Sequence, residues 1–164
     1  MLLDLKKVFL TENEKSEVTY FLDLTQIELD GIKPIQSPSK VFVSAQNRAG
    51  VVKLIANLQI EYARDCDRCS TVVSKILDYT FKHTLVVSLN GDSSDNYVET
   101  PDYKLELDEL ITSDVILELP HKFLCSEDCK GLCSMCGVNL NQTSCDCNKR
   151  PIDSRLEALK ELLN

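Results

Sequence analysis

Eight cysteines carry the chemistry that this sequence advertises. They fall in two places: an isolated Cys66-Asp-Arg-Cys69, and a C-terminal run of Cys125, Cys129, Cys133, Cys136, Cys145 and Cys147. Two thiolates separated by two residues converge on one ion from a single tight turn, and four such sulfurs close the tetrahedral site that zinc prefers. In an oxidising compartment the same residues would read as disulfides. The N-terminus argues for a reducing one. Met1-Leu-Leu-Asp-Leu-Lys-Lys interrupts its apolar run at Asp4 and has no small-residue cleavage pattern, and no window approaches the ~18 apolar residues of a membrane span. The expectation is a cytoplasmic protein with reduced, metal-binding sulfurs.

The cysteines sort into two sets. Cys133-Ser-Met-Cys136-Gly137 is the strongest motif, because a glycine after the second cysteine lets backbone amides turn toward the sulfurs. Cys145-Asp-Cys147 presents two further sulfurs to one side of an extended segment and completes a first site. Cys66, Cys69, Cys125 and Cys129 remain for a second, which would tie the isolated pair to the C-terminal segment. Interleaved pairings, or a set using His121, satisfy the spacing as well. A four-sulfur site leaves no open position for water or substrate, so the reading is structural metal, one or two zinc ions, with no catalytic residues. The competing chemistry is a redox dithiol at Cys66 and Cys69. That use wants the first thiol at a helix N-terminus, and the flanking residues read as strands.

Composition limits the partners. Of 26 acids and 18 bases, nine acids and the single base Lys104 fall in residues 91–118, which leaves the remainder neutral. With a net charge of −8, the chain is not one that coats nucleic acid through a broadly basic face, so any RNA contact must be local. Arg64 and Arg68 near the first pair and Lys130 in the second run are the candidates for such contact. No Ser/His/Asp set, phosphate loop or paired-carboxylate arrangement appears, and no small-molecule substrate is expected.

The elements that must position these sulfurs are mostly strands. Val41, Val43 and Ala45 alternate with polar residues, and Asn47 to Gly50 reads as a turn. Period-two patterns then run from Val52 to Tyr62 and from Val73 to Val87. With a hairpin loop over 66–69, position 58 faces 77, 56 faces 79 and 54 faces 81, with Ile60 opposite Lys75. The fold class is therefore α+β and mostly β, an antiparallel meander or partly closed barrel-like sheet with one buried face. Asn90 to Tyr103 reads as an acidic loop, and Leu107, Leu110, Ile111 and Leu117 as one side of an acidic helix that Pro120 ends. The division is a β-rich domain over 1–120 and a cysteine-rich module over 121–164. The module closes with a helix capped by Ser154 and Glu157 and carrying Leu156, Leu159 and Leu163.

These residues in this order resemble a known family. The hairpin with Cys66-Asp-Arg-Cys69, the acidic helix, Leu119-Pro120 and the run Cys125-Ser-Glu-Asp-Cys129-Lys-Gly-Leu-Cys133-Ser-Met-Cys136-Gly-Val-Asn-Leu-Asn141 are similar to the bacterial YceD family. Cys145-Asp-Cys147 and the closing Asp153-Ser-Arg-Leu extend the likeness. These are the large ribosomal RNA subunit accumulation proteins. The resemblance implies a cytosolic, non-enzymatic ribosome biogenesis factor needed for 23S rRNA levels. Its partners would be 23S rRNA or its precursor, or a basic large-subunit ribosomal protein. A thiol redox protein and a protein-interaction adaptor without RNA contact are the alternatives.

Overall fold

The computed structural model describes residues 1–29, 31–88 and 97–147. The terminal helix expected from Ser154 onward, and residues 90–96 of the acidic loop, lie outside them. Contacts divide the chain into two units, one of residues 1–64 with 74–121, the other of residues 65–73 with the C-terminal segment from 122. The hairpin tip thus groups with the cysteine-rich segment instead of with the strands that carry it.

The first unit is built on an open five-stranded sheet in the order β2 (Lys15–Leu22), β3 (Ser39–Arg48), β4 (Val51–Asp65), β5 (Val72–Val86) and β6 (Tyr97–Glu99). A second, two-stranded sheet pairs β1 (Leu2–Asp4) with β7 (Lys104–Glu106), antiparallel. No closed barrel forms among the described residues, and β6 runs parallel to β5, so the sheet is not a pure antiparallel meander. β6 and a turn of 3₁₀ helix at Pro101–Tyr103 occupy ground that reads as loop from sequence.

Alternation decides which face is covered. Val41, Val43 and Ala45 of β3 lie opposite Leu58, Ala56 and Leu54 of β4, and all six are buried. Burying each large aliphatic side chain of this set stabilises the fold by roughly 1.5–3 kcal/mol. The β3–β4 turn is tighter than the sequence suggests: Asn47 and Arg48 are still paired with Val52 and Val51, and only Ala49 (φ 53) and Gly50 (φ 80) turn. Two residues at positive φ are what a hairpin of this twist requires. Asn47 is buried and holds the corner, its Nδ2 donating to the Val8 carbonyl at 2.9 Å and its Oδ1 accepting from the Gly50 amide at 3.1 Å.

The β4–β5 register also differs from expectation. Gln59 donates to Asp78 (2.6 Å), Thr80 to Asn57 (2.8 Å), and the Cys66 amide to the Thr71 carbonyl (2.9 Å). Facing positions therefore run two residues further along, and the loop is 67–70 instead of 66–69. A shift of two leaves every side chain on its original face, so the period-two pattern could not reveal it.

Helix α1 (Lys6–Leu10) and helix α2 (Leu107–Glu118) cover the buried face. α2 turns Leu107, Ile111 and Val115 inward at i, i+4 and i+8, while Leu117, expected on that side, is 78% exposed. Asp108 and Glu109 sit in its first turn, where the helix dipole favours negative charge. Leu119 (ψ 138) takes the extended backbone that a following proline demands. His83 Nε2 lies 2.7 Å from Asp114 Oδ2, which ties β5 to α2 and gives this histidine a packing role.

Candidate metal centres

Two turns of the same build present the first sulfurs in each half of the second unit. At Cys66 the backbone amide donates to the Thr71 carbonyl (2.9 Å), and the Ser70 amide returns to the Cys66 carbonyl (2.9 Å). At Cys133 the amide donates to the Val138 carbonyl (2.8 Å), and the Gly137 amide returns to the Cys133 carbonyl (2.9 Å). The residue after the second cysteine has positive φ in both, 53° at Ser70 and 74° at Gly137. Such a turn aims free amides at the leading sulfur, as in the 3.4 Å contact from Met135 N–H to Cys133 Sγ.

The structure brings the eight sulfurs into two groups of four, Cys66, Cys69, Cys125 and Cys129, and Cys133, Cys136, Cys145 and Cys147, with the sulfurs of each within 4.8 Å of one another. Of the pairings that the spacing allows, the structure groups the sulfurs in these two sets, and His121 belongs to neither. Cys66 Sγ lies 3.8 Å from Cys129 Sγ, and Cys69 Sγ 3.6 Å from Cys125 Sγ. All eight are free thiols. A disulfide needs about 2.05 Å. Four sulfurs at ~2.3 Å from a central zinc stand about 3.8 Å apart, so the spacing observed is that of a tetrahedral metal site. The donor set fits the group: soft sulfurs, four of them, closed to further ligands. Zinc would supply a rigid cross-link there, and iron is the other soft ion such a set accepts.

The sulfurs are not electrically alike. Burial works against the Cys66 thiolate, but the amides of Arg68, Cys125 and Cys69 outweigh it and bring the thiol down to about 6. The amides of Cys136 and Met135 bring Cys133 to about 6 as well. Cys125 is pushed up to about 12 by its hydrogen bond with Cys129 and by burial, and Cys147 to about 12 chiefly by Cys136. Each group thus holds one ready thiolate beside a thiol that keeps its proton until an ion displaces it.

Side chains around the first group hold it together. Arg68 Nη1 donates to the Cys129 carbonyl (2.9 Å), and the Arg68 carbonyl accepts from the Leu132 amide (3.0 Å). Gly131 packs so closely here that a Cβ would meet the Arg68 carbonyl oxygen at 3.0 Å. Asn141 Nδ2 donates to Cys129 Sγ (3.2 Å) while its Oδ1 accepts from the Lys130 amide (2.8 Å), and Asn139 Nδ2 reaches Thr71 Oγ1 (3.2 Å). Asp67 pairs with Phe123 through the Phe123 amide (2.6 Å). Sequence reasoning missed Thr71, Asn139 and Asn141. The signal available was two asparagines two residues apart, Asn139 and Asn141, just beyond Gly137-Val138. Of the three candidate contact residues, Arg68 and Lys130 are exposed, Arg68 with its Nη1 on the Cys129 carbonyl, and Arg64 is half-buried.

A family model described as large ribosomal RNA subunit accumulation protein YceD matches residues 54–163, which include both sulfur groups. The chain belongs to the YceD family. Among curated YceD relatives, the chloroplastic large ribosomal RNA subunit accumulation protein YCED homolog 1 of Zea mays is 33% identical over 75 residues, 42% of this chain and 26% of the relative. The homolog 1 of Arabidopsis thaliana is 36% identical over 50 residues, 30% of this chain and 16% of the relative. The matched stretches thus cover about a quarter and about a sixth of those two proteins. No solved structure matches. Among the described residues, no helix is long and apolar enough to cross a membrane.

Proposed function

We propose that this protein is a non-enzymatic ribosome biogenesis factor that sustains the level of large-subunit (23S) rRNA, acting in the cytoplasm with two structural zinc ions. The observation that carries the reading is the YceD match across residues 54–163, the stretch that also contains both four-sulfur groups. Zinc at these groups would fix the fold of a segment whose apolar cluster, among the described residues, is built on Cys66, Cys69 and Cys129 themselves, with Val73, Leu124 and Cys125 against them. The chain's net charge of −8 suits a basic large-subunit protein as partner alongside RNA, with complementary charge steering the encounter. Depletion of the protein in its host, followed by measurement of the large-to-small subunit rRNA ratio, tests the reading. The ratio falls and is restored by the intact chain; an unchanged ratio refutes it. The redox alternative predicts Cys66 and Cys69 thiols that alkylate rapidly at neutral pH. The zinc reading predicts slow alkylation until a chelator is added.

A further inference from the structure

The outer face of the five-stranded sheet is left without a covering element by the described residues, and its chemistry is unlike that of the rest of the chain. Against a chain charge of −8, this face is balanced, with five bases (Lys15, Lys40, Arg48, Lys53, Lys82) and five acids (Glu17, Glu61, Asp65, Asp78, Glu99). Glu17 on edge strand β2 is paired with Lys15 at 2.5 Å, Asp78 accepts from Gln59, Glu99 lies on edge strand β6, and Glu61 and Asp65 lie toward the β4–β5 loop. Lys40, Arg48, Lys53 and Lys82 are exposed and have no carboxylate partner among the described residues. Aromatic rings are exposed among them, Phe42 by 38% and Tyr97 by 45%.

Pairing aligns these groups. Gln46 lies opposite Lys53, and Thr84 opposite Tyr97, so one row across the sheet reads Gln46, Lys53, Thr84, Tyr97. A groove of about 610 Å³ runs here, and its walls include Arg48, Lys53, Ile55 and Tyr97 but no carboxylate. Cations fit phosphates, an exposed ring offers a face on which a base stacks, and a side-chain amide beside them can meet a base edge. From Phe42 to Tyr97 is about 20 Å along and across the sheet, by strand spacings of ~4.8 Å and rises of ~3.4 Å.

The geometry points to this face as a binding site for single-stranded RNA, with Arg48 and Lys53 on the phosphates and Tyr97 stacked on a base. The assignment rests on the proposed role in rRNA accumulation. It names a surface that neither the cysteine motifs nor the family match singles out. Double-stranded RNA is not the occupant, since stacking on Tyr97 requires an unpaired base.

Fluorescence polarisation of the full chain with a labelled uridine oligomer of about 12 nucleotides tests it. Arg48→Glu with Lys53→Glu should weaken binding about 30-fold or more and, if two phosphate contacts are lost, flatten the salt dependence by about 1.4 in log–log slope. Tyr97→Ala should weaken binding about tenfold and leave that slope unchanged. Lys53→Gln is the milder variant of the first, and Lys6→Glu on α1 should bind as the parent does. Thermal melts and bound metal are compared throughout, to hold folding constant. Equal affinities for parent, Arg48/Lys53 and Tyr97 variants overturn the proposal, as does a parent chain that binds no RNA. Displacement by polyglutamate as readily as by RNA, with Tyr97→Ala silent, also overturns it and makes the face a site for an acidic protein. The same variants expressed in depleted cells separate the two readings. If they restore the rRNA ratio in full, the RNA face falls and the accumulation role stands; if depletion itself leaves the ratio unchanged, the accumulation role falls.

Discussion

Ser70 and Gly137 occupy equivalent places in two turns of the same build, which allows a reciprocal test of the metal-centre geometry. Each follows the second cysteine of its pair, each has positive φ (53° and 74°), and each donates its amide to the carbonyl of the leading cysteine. A side chain in this backbone region costs about 1–2 kcal/mol, and glycine in its place loses roughly 0.5–1 kcal/mol to extra chain entropy. Nothing lies within 4 Å of a Cβ built on Gly137, so the exchange there measures backbone strain without steric contact. The net expectation is about 0.5–1 kcal/mol in opposite directions: Ser70→Gly stabilises and Gly137→Ser destabilises. Where the fold of the segment depends on the ion, that difference appears as metal affinity, about two- to fivefold. Competition against a chromophoric chelator, read together with the melting temperature, measures it. Effects of the same sign for both substitutions, or none, would refute the equivalence of the two turns.

Three further outcomes follow from individual contacts. Gly131→Ala should destabilise the second unit more than Gly137→Ser does, by about 2 kcal/mol or more, because strain at φ 76° adds to a 3.0 Å approach to the Arg68 carbonyl; denaturant melts of the two variants compare them. Asn47→Ala should cost about 2–3 kcal/mol, since it orphans the buried Val8 carbonyl and frees the turn amide of Gly50; the loss shows in the urea midpoint with an unchanged m-value. Removal of metal by a strong chelator should expose residues 122–147 to proteolysis while the sheet unit, with its own buried core, stays protected; mass spectrometry of the fragments reads the result.

Of the eight cysteines, the grouping of Cys66 and Cys69 with Cys125 and Cys129 came only by elimination, while the quartet from Cys133 to Cys147 was legible because its ligand spacing is a local property. The strands over 41–45, 52–62 and 73–87 were legible for the same reason, since alternation betrays a half-buried face. What escaped was set at long range. β6 pairs in parallel with β5, and β1 with β7 across a hundred residues, through backbone groups that no side-chain pattern records. The two-residue register shift in the hairpin leaves every face unchanged and is fixed only where Cys66 meets Thr71. α2 turns Val115 inward in preference to Leu117, because its buried stripe continues from Leu107 and Ile111 by steps of four. Arg68, read from sequence as a contact to RNA, also braces the fold, its Nη1 donating to the carbonyl of Cys129, 61 residues away.

Distance along the chain gives the two sulfur groups different assembly histories. One group draws on residues as far apart as Cys69 and Cys125, 56 positions, while the other is complete within the span from Cys133 to Cys147. Joining the ends of a flexible segment four times longer is harder by roughly 1.2 kcal/mol. When the complete chain refolds, Cys66 and Cys69 must find Cys125 and Cys129 across the longer loop, whereas the quartet from Cys133 to Cys147 has only its own short stretch to close, so loop entropy favours the compact group.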